Sequence, residues 1–172
     1  RITEALGDKP ARVDDSGSVR IAMIGRPNVG KSSLVNRILG DDRVIVSPVA
    51  GTTRDTIDTE IEVDGRRVTL VDTAGLRRRS KVAGSVDHYA QLRSERAIER
   101  ADVAIIVCDA NEGVRSEDLK VGEVAMRAGC ATLIVMNKWD ITETDIDDTR
   151  ARVARKLRLR PEVVTCSAKS GR

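Results

Sequence analysis

One string narrows the architectures open to this chain more than any other. Gly25-Arg26-Pro27-Asn28-Val29-Gly30-Lys31-Ser32 fits G-x-x-x-x-G-K-[ST], between an apolar run at 19–24 and an amphipathic segment at 31–39. Within this string a strand must end, the backbone must curl and a helix must begin. Glycines let successive N–H groups converge on one anion, and the helix N-terminus adds its positive dipole end. A phosphate group suits such a cradle. Lys31 is expected to reach β- and γ-phosphates, and the Ser32 hydroxyl to ligate Mg²⁺, with Ser33 following in the same turn.

The rest of the chain alternates apolar strands with amphipathic helices. Leu34, Val35, Ile38 and Leu39 share one helical face, and Gly40 is the expected stop. Residues 41–56 lack a clear period and read as a mobile loop. Residues 57–63 alternate, and Asp64-Gly65 predicts a tight hairpin into 67–71. A second irregular stretch, 76–85, precedes a helix ending near Arg100. Further strands are expected at 103–108, 131–136 and 162–166. Helical faces are marked by Val121, Val124, Ala125 and Ala128, then by Ile146, Val153, Ala154 and Leu157. This order predicts an α/β fold with a six-stranded, mostly parallel sheet, one antiparallel strand and helices on both faces. Residues 1–18 read as a linker or arm. Residues 19–172 read as one domain lacking its final helix.

Composition excludes several classes. With Trp139, Tyr89 and no Phe, the core must be aliphatic, and aromatic platforms for stacking single-stranded nucleic acid are ruled out. A net charge of +3 is too small to mark a dedicated nucleic-acid binder. No apolar run is long enough to span a bilayer. Cys108, Cys130 and Cys166 are widely spaced and unpaired in pattern, which suits buried thiols in a reducing cytoplasm.

Three further strings follow strands. Asp72-Thr73-Ala74-Gly75 offers a carboxylate to Mg²⁺ and a glycine N–H to a γ-phosphate. In Asn137-Lys138-Trp139-Asp140, the Asp140 carboxylate can accept from guanine N1–H and its 2-amino group, a donor pair adenine lacks. The Lys138 stem can lie over a purine face, and Asn137 can tie this loop to the phosphate loop. In Ser167-Ala168-Lys169, a backbone N–H can meet guanine O6. A fifth string, Gly51-Thr52-Thr53-Arg54-Asp55, lies in the first irregular stretch, where a threonine can complete the Mg²⁺ shell.

These five strings resemble, in order and spacing, the translation-factor-related GTPases. GRPNVGKSSLVNRILG, PVAGTTRDT, DTAGLRRRSKV and NKWD are most similar to the second G domain of the bacterial EngA/Der tandem GTPases. The tRNA-modification GTPases share GTTRD and DTAGLR and are the nearest confusable relatives. The resemblance implies a Ras-like P-loop G domain that binds GTP or GDP with Mg²⁺, hydrolyses GTP slowly and switches conformation. It further implies a cytoplasmic role in assembly of the large (50S) ribosomal subunit, with rRNA as partner. A first GTPase domain and a KH-like domain belong to that family and are absent from this sequence. A nucleotide-independent interaction module and an ATP-using P-loop enzyme are the readings from other classes.

Leu76 stands where many Ras-like switches carry the glutamine that orients water. The resemblance supplies a substitute: Asn28 matches an asparagine that coordinates K⁺ in related GTPases, with the backbone of 47–53 and the Thr52 hydroxyl completing the ion site. Thr53 then serves Mg²⁺. Lys31, Asn28, Thr53 and Gly75 are the expected catalytic set. Two basic stretches remain. Arg77, Arg78, Arg79 and Lys81 form a switch-loop cluster, so any RNA contact is expected to be electrostatic and nucleotide-switched. The six bases at 150–160 follow Glu143, Asp145, Asp147 and Asp148, an order that suits a helix macrodipole.

Overall fold

The computed structural model describes residues 17–46, 58–73 and 87–171; in the helix beginning at Asp87, side chains are described for Leu92 and 94–100. Strands β1 (Val19–Ile24), β4 (Arg66–Val71), β5 (Val103–Asp109), β6 (Ala131–Asn137) and β7 (Glu162–Thr165) run parallel. Every residue of β5 is buried, which is why that strand reads as an unbroken apolar run. β3 (Thr59–Val63) pairs antiparallel with β4. Its alternation is genuine: Ile61 is buried, and Glu60 and Glu62 are exposed. Asp64 and Gly65, both at positive φ, close the hairpin as expected.

The sheet has seven strands rather than six, ordered β2-β3-β4-β1-β5-β6-β7. The added strand, β2 (Val44–Val46), pairs antiparallel with β3 and occupies part of the stretch read as a loop. Three residues are too few to display a period. At a sheet edge, Ile45 and Val46 stay exposed, so β2 is held by backbone pairing that leaves no hydrophobic signature. β3 remains the one strand running against the others.

Helices cover both faces, as expected. α1 (Lys31–Leu39) buries Val35 against the cluster containing Ile21, Leu70, Ile105 and Val135, and ends at Gly40. α2 (Asp87–Arg100), α3 (Ser116–Arg127) and α4 (Ile146–Lys156) pack on the other face. There Ile98, Leu119, Val153 and Leu157 meet Ala104, Ile106 and Met136. α3 is rotated from its expected face: Asp118, Leu119, Gly122 and Ala125 turn inward, while Val124 and Ala128 face out. A β-carbon on Gly122 would lie 3.2 Å from Leu157 Cδ1, so a small residue lets the end of α4 approach. All three thiols are free; Cys108 and Cys130 are buried and Cys166 half-buried. Among the described residues, no helix is long and apolar enough to cross a membrane.

Candidate functional site

Five parallel strands present their carboxyl ends at one sheet edge, the place where ligands bind in open α/β sheets. The loop after β1 carries the glycine-rich string, Asp72 follows β4, Asn137 closes β6 and Ser167 lies just beyond β7. Register enforces the grouping. Ala22 pairs with Val71 one residue before Asp72, and Asp109 pairs with Asn137.

The phosphate loop is a curled backbone braced from below. Gly25, Asn28 and Gly30 all have positive φ, an arrangement that turns successive N–H groups inward. Close approach fixes both glycines. A β-carbon on Gly25 would lie 2.3 Å from the Val107 carbonyl oxygen, and one on Gly30 would lie 2.2 Å from Asn137 Nδ2. Lys31 is buried, and its Nζ donates to the Gly25 and Arg26 carbonyls at 2.6 and 2.5 Å. The ammonium is thus held beneath the loop that it must serve. Val29 is buried, Pro27 and Asn28 are exposed, Ser32 is half-buried and Ser33 exposed. The Asn28 carboxamide has no hydrogen-bond partner among the described residues.

Asn137 joins three motifs. Its Nδ2 donates to the Val29 carbonyl at 2.8 Å, and its Oδ1 accepts from the Ala168 N–H at 3.1 Å. The side chain is 1% exposed, so these bonds form away from competing water. The next residue, Lys138, has φ 65° and an ion pair from Nζ to Asp109 Oδ2 at 2.6 Å. The Trp139 N–H donates to the Cys166 carbonyl at 3.0 Å, fixing this turn to the end of β7. Trp139 itself packs against the core. Asp140 is exposed, and a hydrogen bond from Ser167 holds its carboxyl below the usual carboxylate range. The Ser170 N–H donates to Ser167 Oγ at 3.1 Å, while Lys169 is exposed.

Three supporting residues escaped the sequence reading: Asp109, Asp118 and Glu112. Arg26, a member of the glycine-rich string, turns its guanidinium away from the loop toward α3. It pairs with Asp118 at 3.2 Å and with Glu112 at 2.7 Å. The Asp118 carboxylate also accepts from the Arg115 N–H at 2.9 Å, capping α3. One Arg26 terminal nitrogen is buried without a partner among the described residues. The two acids raise the Arg26 pKa above its ordinary value against the opposing effect of burial. Asp118 is 2% exposed and interrupts an apolar face, so periodicity gives it no role. A buried acid aligned with a basic loop residue is the signal that would have found it.

Two of the residues expected to hold Mg²⁺ have chemistry and placement that suit it. Ser32 and Asp72 supply hard oxygen donors at the same sheet edge, and Asp72 sits at φ 57° where β4 ends. Among the described residues no cluster of three or more His, Cys, Asp or Glu forms a protein-only metal cage. The buried Thr73 hydroxyl bonds Thr59 at 2.8 Å, tying the post-β4 turn to β3. Ala74, Gly75, Leu76, Thr52, Thr53 and the basic cluster Arg77, Arg78, Arg79 and Lys81 lie outside the described residues.

A strand–glycine loop–helix, an acid after β4 and an Asn-Lys-x-Asp turn clamped to the phosphate loop define a P-loop domain built for guanine nucleotides. The profile of the family described as 50S ribosome-binding GTPase matches residues 20–138, and the chain belongs to that GTPase family. GTPase Der of Heliobacterium modesticaldum is 48% identical over 157 residues, covering 91% of this chain and 35% of that protein. The chain therefore spans about a third of that relative. Among solved structures, an Era variant from Aquifex aeolicus bound to GDP and aluminium fluoride gives a TM-score of 0.63 at 26% identity, covering 88% of this chain and 52% of that one. Era in complex with MgGDPNP and nucleotides 1506–1542 of 16S ribosomal RNA gives 0.66 at 25% identity, covering 90% and 52%.

Proposed function

We propose that this chain is a GTP-hydrolysing switch: the second G domain of a Der-type cytoplasmic protein that acts in assembly of the large ribosomal subunit. The observation that carries it is Asn137, which binds the phosphate loop through Val29 and the Ala168 loop through its other amide atom. A turn so placed sets Asp140 where it can read a purine while Gly25 to Ser32 wrap its phosphates. The matching family is described as a 50S ribosome-binding GTPase, and one similar structure is Era with a fragment of 16S ribosomal RNA.

In hydrolysis, water attacks the γ-phosphorus and the bond to the β–γ bridging oxygen breaks. The chain contributes position and charge rather than a covalent partner. Lys31 leaves its loop carbonyls to pair with β- and γ-oxygens, and the N–H groups of residues 28–32 surround the phosphates. Ser32, Asp72 and Thr53 would hold Mg²⁺, which offsets charge on the β- and γ-oxygens when bound. With Leu76 unable to orient water, we place the compensating charge on K⁺ held by Asn28 and Thr52. Asn28 is exposed on the loop after β1, where a side-chain oxygen can face such an ion. Fluorescent GDP and ADP analogues titrated with Mg²⁺ test the site: GDP should bind and ADP should not. An interaction module would bind neither. Hydrolysis compared in KCl and NaCl at equal ionic strength tests the ion, and equal rates would refute its part.

A further inference from the structure

Residues 149–161 carry Arg150, Arg152, Arg155, Lys156, Arg158 and Arg160 with no acid. Six positive charges exceed the net charge of the entire chain, so the remainder is net acidic. The macrodipole accounts for Arg155 and Lys156, which lie in the last turn of α4. It does not account for Arg152, which lies a turn earlier, or for Arg158 and Arg160, which follow the helix.

The packing of α4 sorts these bases. Thr149, Val153 and Leu157 turn inward. On a helix of 3.6 residues per turn, Arg152, Arg155 and Lys156 then share one outward stripe. Asp148 lies at the head of that stripe without an ion pair to it, and Glu162 lies just beyond Arg160. Arg150 pairs with Asp147 on another side at 3.2 Å. Arg152, Arg155, Lys156, Arg158 and Arg160 are all exposed and have no acidic partner among the described residues. Leu159, 62% exposed, stands among them.

We infer that this stripe and the turn after it form a binding surface for the phosphate backbone of duplex RNA, separate from the nucleotide site. Unpaired arginines on a rigid helix match phosphate oxygens at low ordering cost. The chain has one Trp, one Tyr and no Phe, which removes base stacking and leaves backbone contact as the mode. RNA as the polyanion rests on the proposed ribosomal role; the surface itself does not.

The test uses the 172-residue chain and a short fluorescein-labelled RNA duplex, read by anisotropy across a salt series. R155E/R158E should weaken binding by about tenfold or more and flatten the log–log salt slope by about 2, one unit per lost phosphate contact. Fluorescent-GDP affinity and thermal midpoint should not move, since both side chains are exposed and remote from the phosphate loop. R152Q/K156Q should act in the same direction, more weakly. The inference is overturned if the wild-type chain binds GDP yet ignores the duplex at low salt, or if both variants bind it like wild type. Preference for phosphatidylglycerol vesicles over the duplex, abolished by the same variants, would also overturn it. Loss of GDP binding by the wild-type chain would instead count against the nucleotide reading.

Discussion

The amide nitrogen of Asn137 donates to the carbonyl of Val29 at 2.8 Å, joining residues 108 positions apart in the chain. Through this bond the end of β6 holds the loop after β1. The same side chain accepts from Ala168, so one buried residue joins the glycine-rich loop to the loop after β7.

Asn137→Ala should therefore act on stability and on binding together. It leaves the Val29 carbonyl and the Ala168 N–H without their partner. Each buried unsatisfied group costs about 1–3 kcal/mol, so about 2–6 kcal/mol of unfolding free energy should be lost. Urea denaturation of the apo chain reads the first effect, and fluorescent-GDP titration the second.

Gly30→Ala should be destabilising for two reasons, the strain of a side chain at φ 95° and a close contact that Asn137 controls. The new β-carbon would sit 2.2 Å from Asn137 Nδ2. A substitution forcing such a contact costs about 1–3 kcal/mol. Because the obstacle is a side chain, the effect should be strongly non-additive. Gly30→Ala in an Asn137→Ala background should cost less than in the wild type, which a double-mutant cycle in urea would show.

Much of this arrangement was legible in the sequence. The glycine-rich string, the Asp64-Gly65 hairpin, β5 and β6 follow from spacing and apolar runs. What escaped has physical causes. β2 is too short and too exposed to carry a pattern. The inward face of α3 contains Asp118 and Gly122, which no hydrophobic template selects. Arg26 falls inside a phosphate-binding string, yet its guanidinium turns to Asp118. String position predicts where a backbone goes and not where a long side chain points.

The Arg26–Asp118 pair gives its own test. Arg26→Ala strands a carboxylate whose side chain has no solvent exposure, while the Arg115 N–H stays bonded to it. Breaking a buried pair from one side costs about 3–5 kcal/mol. Arg26 keeps some solvent contact, so the lower end is expected. Asp118→Asn keeps the cap partly satisfied and should cost less. Thermal denaturation of both variants orders them.

If Asp140 reads the base as proposed, Ser167 should set the pH range of that contact. Its hydrogen bond holds the Asp140 carboxyl below the ordinary carboxylate value, so the ionised form persists as pH falls through that range. Guanine recognition should therefore stay constant from neutral pH downward and be lost only below the usual carboxylate pKa. Ser167→Ala should raise the pH at which binding fails. Fluorescent-GDP affinity measured against pH in both proteins reads the difference.

Base specificity is the most direct test of the whole assignment. Asp140→Asn replaces an acceptor pair with a carboxamide that offers a donor to the 2-position. The variant should lose GTP affinity by about 100-fold, as expected when two charge-assisted hydrogen bonds become mismatched, and should gain affinity for xanthosine triphosphate. Unchanged GTP affinity in Asp140→Asn, with no gain for xanthosine triphosphate, would contradict a guanine site built on Asn137 and Asp140.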